Sequence, residues 1–429
     1  MPKNLPLDAA RLWRDIMELS EITEPDRPYT RRSFSARFLE GRMWLDRRFA
    51  EAGLTTRLDA AGNLIGRLDG RDPGLGTIAV GSHSDTVPSG GRFDGIAGVV
   101  AGLEIARALR DSGSRLDHSF EVVDFLAEEP SEYGLSCIGS RGMTGSLDER
   151  MLSLASPDGE TVHEAIKRIG GAPDRIHDAR RRDIQAFLEL HIEQGAVLES
   201  EKIEIGVVTS IVGIRRLEIE FEGRADHAGT TPLGLRRDAL IAAAEMVGAV
   251  RALAKELDDD GDGYFVATVG ILDVKPSASN VVPGACRLVI DLRSTDAALI
   301  SRFSDEIDRR SEAAASAARV KRRAFLTLSD GPPVACDPML QASLRDASDR
   351  LDLSRMELPS GAGHDAAFMS RICRSAMLFV PSRGGLSHSP EEWTDQESIA
   401  LGASVLFEAV RALDISLRSV VREGVHTPD

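Results

Sequence analysis

Three short apolar runs in this chain lead directly to histidines or acids and a fourth reaches a histidine through a loop, and this pairing constrains the fold more than any other feature. TIAV leads to His83 and Asp85, and EVVDFLA to Glu128 and Glu129. FLEL leads to His191 and Glu193, and AMLFV reaches His388 through SRGGLSHSPEE. Short apolar runs bounded by turn signals read as buried strands, and strands buried on both faces belong to parallel sheets covered by helices. VAGLEIARALRD, between the first two runs, has a helical pattern. So does SFSARFLEGRMWLDRRFAEAGL, which sets Phe34, Phe38, Leu45 and Phe49 on roughly one face. The expectation is an α/β domain with a mostly parallel central sheet. In open sheets of this kind ligands bind beyond the carboxyl ends of the strands, which is where these histidines and acids fall.

The pattern changes near Ile214. RRLEIEFEGRADHAG alternates apolar and polar residues, LRRDALIAAAEMVGAVRALAKEL is a long amphipathic helix, and YFVATVGILDV and ACRLVIDLRS alternate again. The helical ALISRFSDEIDRRSEAAASAA follows them. This β-α-β-β-α-β order predicts a ferredoxin-like α+β unit inserted into the larger domain. The expected division is 1–213 and 332–429 for the larger domain and 214–331 for the insert. A chain of 429 residues exceeds the usual size of one core, in keeping with two domains. The resumed domain continues through the helical MLQASLRDASDRL, the loop SGAGHDAA, the strand SAMLFVPS and a last helix, ESIALGASVLFEAVRAL.

The net charge of −16 argues against nucleic acid or an anionic membrane surface as partner. It leaves room for an anionic small molecule read by a local arginine. The four cysteines, Cys137, Cys286, Cys336 and Cys373, are scattered and form no CxxC, so a disulfide framework and a zinc ribbon are not expected. No continuous apolar stretch marks a signal peptide or a membrane span, and a cytoplasmic location is expected.

Taken singly, each strand-end residue is ordinary. A lone histidine caps or faces solvent, a Glu pair is a solvated turn, and Asp94 before Gly95 is a turn signal. His118, His163, His177 and His426 are read as such surface residues. The coincidence of His83, Asp94, Glu129, His191 and His388 at strand ends points to a hydrolytic site with two divalent cations. Imidazole and carboxylate suit zinc, and one carboxylate can bridge two ions. Asp94 is the expected bridge, with His83 and His191 on one ion and Glu129 and His388 on the other. Asp85, two residues after His83, is expected to accept the other imidazole N–H and fix the tautomer. Glu128 is the expected general base and later acid. The same donors admit zinc, manganese, cobalt or nickel.

Six motifs in order, GSHSDTVPSGGRFDGIAGVVAGLE, AEEPSEYGLSCIGSRGMTG, ELHIEQGAVLE, GRADHAGTTPLGLRRDA, SGAGHDAAFM and SRGGLSHSPEE, resemble the amidase/hydantoinase–carbamoylase family. That family includes N-carbamoyl-L-amino acid amidohydrolases, β-ureidopropionases and allantoate and ureidoglycolate amidohydrolases, and is related to aminoacylases and zinc exopeptidases. The resemblance implies a zinc-exopeptidase-like catalytic domain holding two divalent ions per subunit, and an inserted lid domain that also forms a homodimer. It implies that His227 polarises the scissile carbonyl, often from the partner subunit. Asn280 and Arg293 match residues that bind a substrate carboxylate, Gln194 a polar residue near the substrate, and His364 a residue near substrate and metals that Asp365 would support. One departure stands out: Pro130 follows the Glu pair, and Glu132 occupies a position where arginine is common.

The implied activity is hydrolysis of a linear amide, the ureido group of an N-carbamoyl-L-amino acid or related ureido acid, through a metal-bridging hydroxide. An aminoacylase or dipeptidase would use the same machinery. A non-catalytic binding relative is disfavoured by the intact Glu128.

Overall fold

Ser35 accepts a hydrogen bond from the Phe38 N–H and so caps the helix Ala36–Glu51, whose Phe38, Leu45 and Phe49 are wholly buried. Asp8 caps the preceding helix, Ala9–Ser20, through the Arg11 N–H. The computed structural model describes residues 6–261 and 263–423. In chain order the strands are β1 (Thr55–Leu58), β2 (Leu64–Leu68), β3 (Thr77–His83), β4 (Ser119–Phe125), β5 (Ile184–Ile192), β6 (Ile205–Ile211), β7 (Gly213–Glu222), β8 (Asp226–His227), β9 (Phe265–Lys275), β10 (Val281–Val282), β11 (Ala285–Ser294), β12 (Lys321–Gly331), β13 (Val334–Ala335), β14 (Arg355–Ser360) and β15 (Arg374–Val380).

The chain divides into two units. The first comprises Met1–Thr209, Cys336–Leu358 and His364–Asp429. Its strands run in the order β1-β2-β4-β3-β5-β15-β6. The centre, β4-β3-β5-β15, is parallel, and the flanking pairs are antiparallel. Every residue of β3 and β4 is buried, the pattern of a sheet covered on both faces. The helix Ile96–Asp111 makes the crossover from β3 to β4. Gly98 lets it lie close to the sheet, because a Cβ there would stand 2.4 Å from the Leu190 carbonyl oxygen. The expected α/β class with a mostly parallel central sheet therefore holds, and its four parallel strands end at or just before the histidines and acids described above.

The second unit comprises Ser210–Ala335 with Pro359–Gly363. Its antiparallel sheet has the order β12-β7-β11-β9. The helices Ala239–Asp259 and Ala297–Ala317 bury Met246, Val250, Phe303 and Ile307 in one core with Leu217, Ile219 and Phe221 of β7. A two-stranded pairing of β8 with β10 sets His227 opposite Val281.

One expectation fails here. His118 is not a surface residue but fully buried: its Nδ1 lies 2.9 Å from Asp414 Oδ1 on the C-terminal helix Gln396–Glu423, and its backbone N–H donates to the same oxygen. It directly precedes β4, so tertiary packing covers it. His163 and His177 sit at the surface beside Asp174 and Asp178, and His426 lies outside the described residues. Among the described residues no helix is long and apolar enough to cross a membrane.

Candidate metal centre

β3 delivers His83 at its last residue, and β5 delivers His191 one residue before its end. In the parallel register His83 stands opposite Phe125, the last residue of β4, so the turn after β4 brings Glu128 and Glu129 to the same edge. His191 stands opposite Phe379 near the end of β15, and the loop beyond β15 carries His388. Asp94 closes the set from the turn that opens the helix Ile96–Asp111.

Asp94 divides its two oxygens between two groups. Oδ1 lies 3.5 Å from His83 Nε2 and 3.1 Å from His191 Nε2. Oδ2 lies 3.1 Å from His388 Nε2, which is 3.2 Å from Glu129 Oε1. Bonds of about 2.1 Å in tetrahedral geometry separate neighbouring ligand atoms by about 3.4 Å, so both groups have the spacing and the donor chemistry of a cation site. The donor atoms of His83, Asp94 and His191, and likewise of Asp94, Glu129 and His388, all fall within 4.8 Å of one another. The other ring nitrogens of His83 and His191 face main-chain carbonyls, of Asp85 at 3.0 Å and of Ile192 at 2.9 Å. That orients both Nε2 atoms toward Asp94.

Asp85 meets the His83 ring through its main-chain carbonyl and not, as expected, through its carboxylate. β3 ends at His83, and the Asp85 carboxylate lies 3.7 Å from His83 Nδ1, behind its own carbonyl. The carboxylate instead accepts the N–H groups of Glu128 and Glu129, each at 3.3 Å. It holds the turn that presents the Glu pair. Burial, reinforced by the charges of Glu129 and Asp124 and opposed by His83, pushes its carboxyl up to about 7.

Glu128 is buried with Oε2 3.6 Å from His83 Nε2. Burial, joined by the charges of Glu129, Asp365 and Asp94 and opposed by His83, raises its carboxyl well above the usual range. Carboxyls perturbed by burial and by one another in this way are common at sites that hold cations or move protons. Gln194, expected at the substrate, donates through Nε2 to Asp94 Oδ2 at 2.9 Å and to Ser387 Oγ at 3.1 Å. His364 is buried behind the centre. Its ring meets that of His191 edge-on at 4.7 Å, and its donor atom clusters with those of Glu189 and His191. Asp365, also buried, opens the short helix Asp365–Met369 beside it.

The remaining expected residues lie in the second unit. His227 is exposed, and its Nδ1 accepts the N–H groups of Gly229 at 3.0 Å and Thr230 at 3.1 Å. A neutral ring in that setting carries its proton on Nε2. Asn280 accepts the Ala228 N–H on its main-chain carbonyl, which places it next to His227. Arg293 is anchored by Asp291 Oδ1 at 2.8 Å and the Gly361 carbonyl at 2.9 Å. The departure at Glu132 is matched by Arg32, whose guanidinium lies 3.4 Å from Glu132 and 3.3 Å from the Pro130 carbonyl.

Three contributors escaped the sequence reading. Glu189 is wholly buried, taking the Ser82 hydroxyl at 2.7 Å and the Ala366 N–H at 3.1 Å. An acid inside the otherwise apolar FLEL was the available signal. Glu392 binds the main chain of Asp94, and its place in SHSPEE resembles a solvated turn. The Cys137 thiol lies 3.7 Å from Glu128 Oε1, a contact without a local pattern.

A model of the peptidase family M20/M25/M40 matches residues 79–412. An N-carbamoyl-L-amino-acid amidohydrolase of Paenarthrobacter aurescens is 42% identical over 413 residues, spanning 95% of this chain and 98% of its own. A ureidoglycolate hydrolase of Arabidopsis thaliana is 37% identical over 415 residues, spanning 95% of this chain and 87% of its own. A solved amidase of the hydantoinase/carbamoylase family from Burkholderia multivorans aligns with a TM-score of 0.87 at 36% identity, covering 95% of this chain and 98% of that one. The fold, the strand-end donor set and these likenesses lead to one conclusion: the chain belongs to the metal-dependent M20/M25/M40 family, among its hydantoinase/carbamoylase amidases.

Proposed function

We propose that the protein is a metal-dependent amidohydrolase that cleaves the ureido group of an N-carbamoyl-L-amino acid or a related ureido acid. The observation that carries this reading is the split of Asp94, one carboxylate oxygen toward His83 and His191 and the other toward His388 and Glu129, with Glu128 alongside. The relatives at 42% and 37% identity supply the substrate class. Two divalent cations, zinc or manganese with cobalt and nickel as alternatives, would polarise the scissile carbonyl and acidify the attacking water.

The residues of the chain do the rest. Glu128 takes a proton from the water as its oxygen bonds to the carbonyl carbon. It returns that proton to the leaving nitrogen as the C–N bond breaks. His227 donates from Nε2 to the developing oxyanion. Arg293 reads the substrate carboxylate with the donors that Asp291 and Gly361 leave over, and Asn280 assists. For a carbamoyl substrate, one water is consumed and ammonia, carbon dioxide and the amino acid are released. The apolar Leu326 and Leu328 of β12 and Ile271 and Leu272 of β9 are exposed on the second unit and support its use as a homodimer contact. Four cysteines without a disulfide suit a reducing, cytoplasmic setting.

The test is a substrate panel run on chelated and on metal-reconstituted protein. It compares N-carbamoyl, N-formyl, N-acetyl and dipeptide forms of one amino acid, with allantoate and ureidoglycolate added. Metal-dependent release of ammonia from a ureido substrate, well above hydrolysis of the acetyl and peptide forms, is expected. Preference for the acetyl or peptide form would replace the reading with an aminoacylase or dipeptidase. Binding without turnover would replace it with a ligand-binding relative.

A further inference from the structure

The five proposed ligands are not held alike. His83, Asp94, Glu129 and His191 are buried, whereas the His388 side chain is 49% exposed and its backbone is left-handed at φ +54°. β3 and β5 fix the first two imidazoles; His388 rides on a loop, and another contact must set its distance from Asp94. Glu392, wholly buried four residues further on, makes that contact. Its Oε1 accepts the N–H of Phe93 at 2.8 Å and of Asp94 at 3.2 Å, while Oε2 accepts the Ser387 hydroxyl at 2.9 Å. The Ser389 N–H donates to the Gly90 carbonyl at 3.1 Å, and the Trp393 ring meets Phe93 edge-on at 5.6 Å. Gly91 makes the approach possible, since a Cβ there would lie 2.3 Å from Glu392 Oε1. Both Glu392 oxygens are thus committed to the two loops and neither faces a cation site.

We propose that Glu392 is a positioning residue: by tying the His388 loop to the Asp94 loop it sets the affinity of the cation held by Asp94, Glu129 and His388. The cation held by His83, Asp94 and His191 is affected less, because two of its three ligands stand on β3 and β5, while Asp94, whose N–H Glu392 accepts, is common to both. The inference rests on the two-cation reading above. Without the Glu392 link, a half-exposed imidazole on a loop regains its freedom in solvent and must be ordered by the ion itself. The buried imidazoles of β3 and β5 remain oriented by the carbonyls of Asp85 and Ile192.

The test titrates metal-free protein with Co²⁺, following uptake by calorimetry and by the visible absorption of the bound ion. Wild type takes two equivalents. In Glu392→Ala the second equivalent binds at least about tenfold more weakly and the first weakens by clearly less. In Glu392→Gln the amide oxygen still accepts both N–H groups and the amide nitrogen still reaches Ser387, so the second equivalent returns close to wild-type affinity. If Glu392→Ala fails to fold, as judged by circular dichroism of the metal-free protein, Glu392→Asp replaces it with the same expectation. Two equivalents at wild-type affinity in the Ala or Asp variant would overturn the proposal. So would equal weakening of both equivalents, or a Gln variant as weak as Ala. Wild-type protein taking fewer than two equivalents would instead overturn the two-cation reading itself.

Discussion

Gly95 lies directly against His83: with φ at +68°, a Cβ on residue 95 would stand 2.4 Å from the imidazole Nε2. Alanine there combines an unfavourable backbone, costing about 1–3 kcal/mol, with a clash against the nitrogen that faces Asp94. Gly95→Ala should therefore weaken uptake of the cation assigned to His83 and His191 by at least about tenfold. Calorimetric titration of the metal-free variant checks this, and wild-type affinity would show that the turn has room to move.

Glu128→Gln should leave metal content near the wild-type level and cut turnover by about 10²–10⁴-fold, the usual size of a general acid–base contribution. Elemental analysis beside steady-state kinetics measures both. Substantial residual turnover would remove Glu128 from the proton-transfer role.

Arg293→Ala should raise KM for carboxylate substrates by about 10- to 100-fold, as loss of a charge-assisted contact worth about 1.5–3 kcal/mol predicts, and alter KM for the matching carboxamides far less. Equal effects on acid and amide would show that Arg293 does not read the carboxylate.

Asp414→Ala should destabilise the first unit by about 2–4 kcal/mol at neutral pH, because it strands the Asp117 and His118 N–H groups and the buried His118 ring. Burial works to raise the Asp414 carboxyl, but hydrogen bonds from His118 and the two N–H groups overcome it and hold it below its ordinary value. A depressed carboxyl stabilises the folded state above its unfolded value of about 3.9, and that contribution disappears as pH falls through the lower folded value. The gap between wild type and variant should therefore shrink below about pH 4. Urea unfolding at neutral and acid pH measures it; a gap that does not vary with pH would show that the carboxylate charge is not what stabilises the packing.

The local elements were legible because they follow from periodicity. The apolar runs that became β3, β4, β5 and β15, the amphipathic helices and the alternating strands of the second unit each carry their pattern within a short stretch of residues. The gathering of the strand-end residues was legible because a parallel sheet puts the carboxyl ends of its neighbouring strands on one edge. His118 misled because nothing in its polar surroundings announces a helix that arrives almost 300 positions later in the chain to cover it; its partner Asp414 is 296 residues away. At Asp85 the spacing pointed to the residue and not to the atom: β3 stops at His83, and the main-chain carbonyl rather than the carboxylate meets the ring.

The sequence by itself determined which residue types stand at the strand ends, and therefore the class of ion and reaction they suit. Tertiary structure alone decided how the two oxygens of Asp94 are shared, that Asp85 serves the Glu pair, that Gln194 serves Asp94, and that Glu392 secures the Asp94 loop. Those roles depend on distances of about 3 Å between residues remote in the chain, Glu392 and Phe93 being 299 apart. Such distances are set by how the layers pack, which no local pattern encodes.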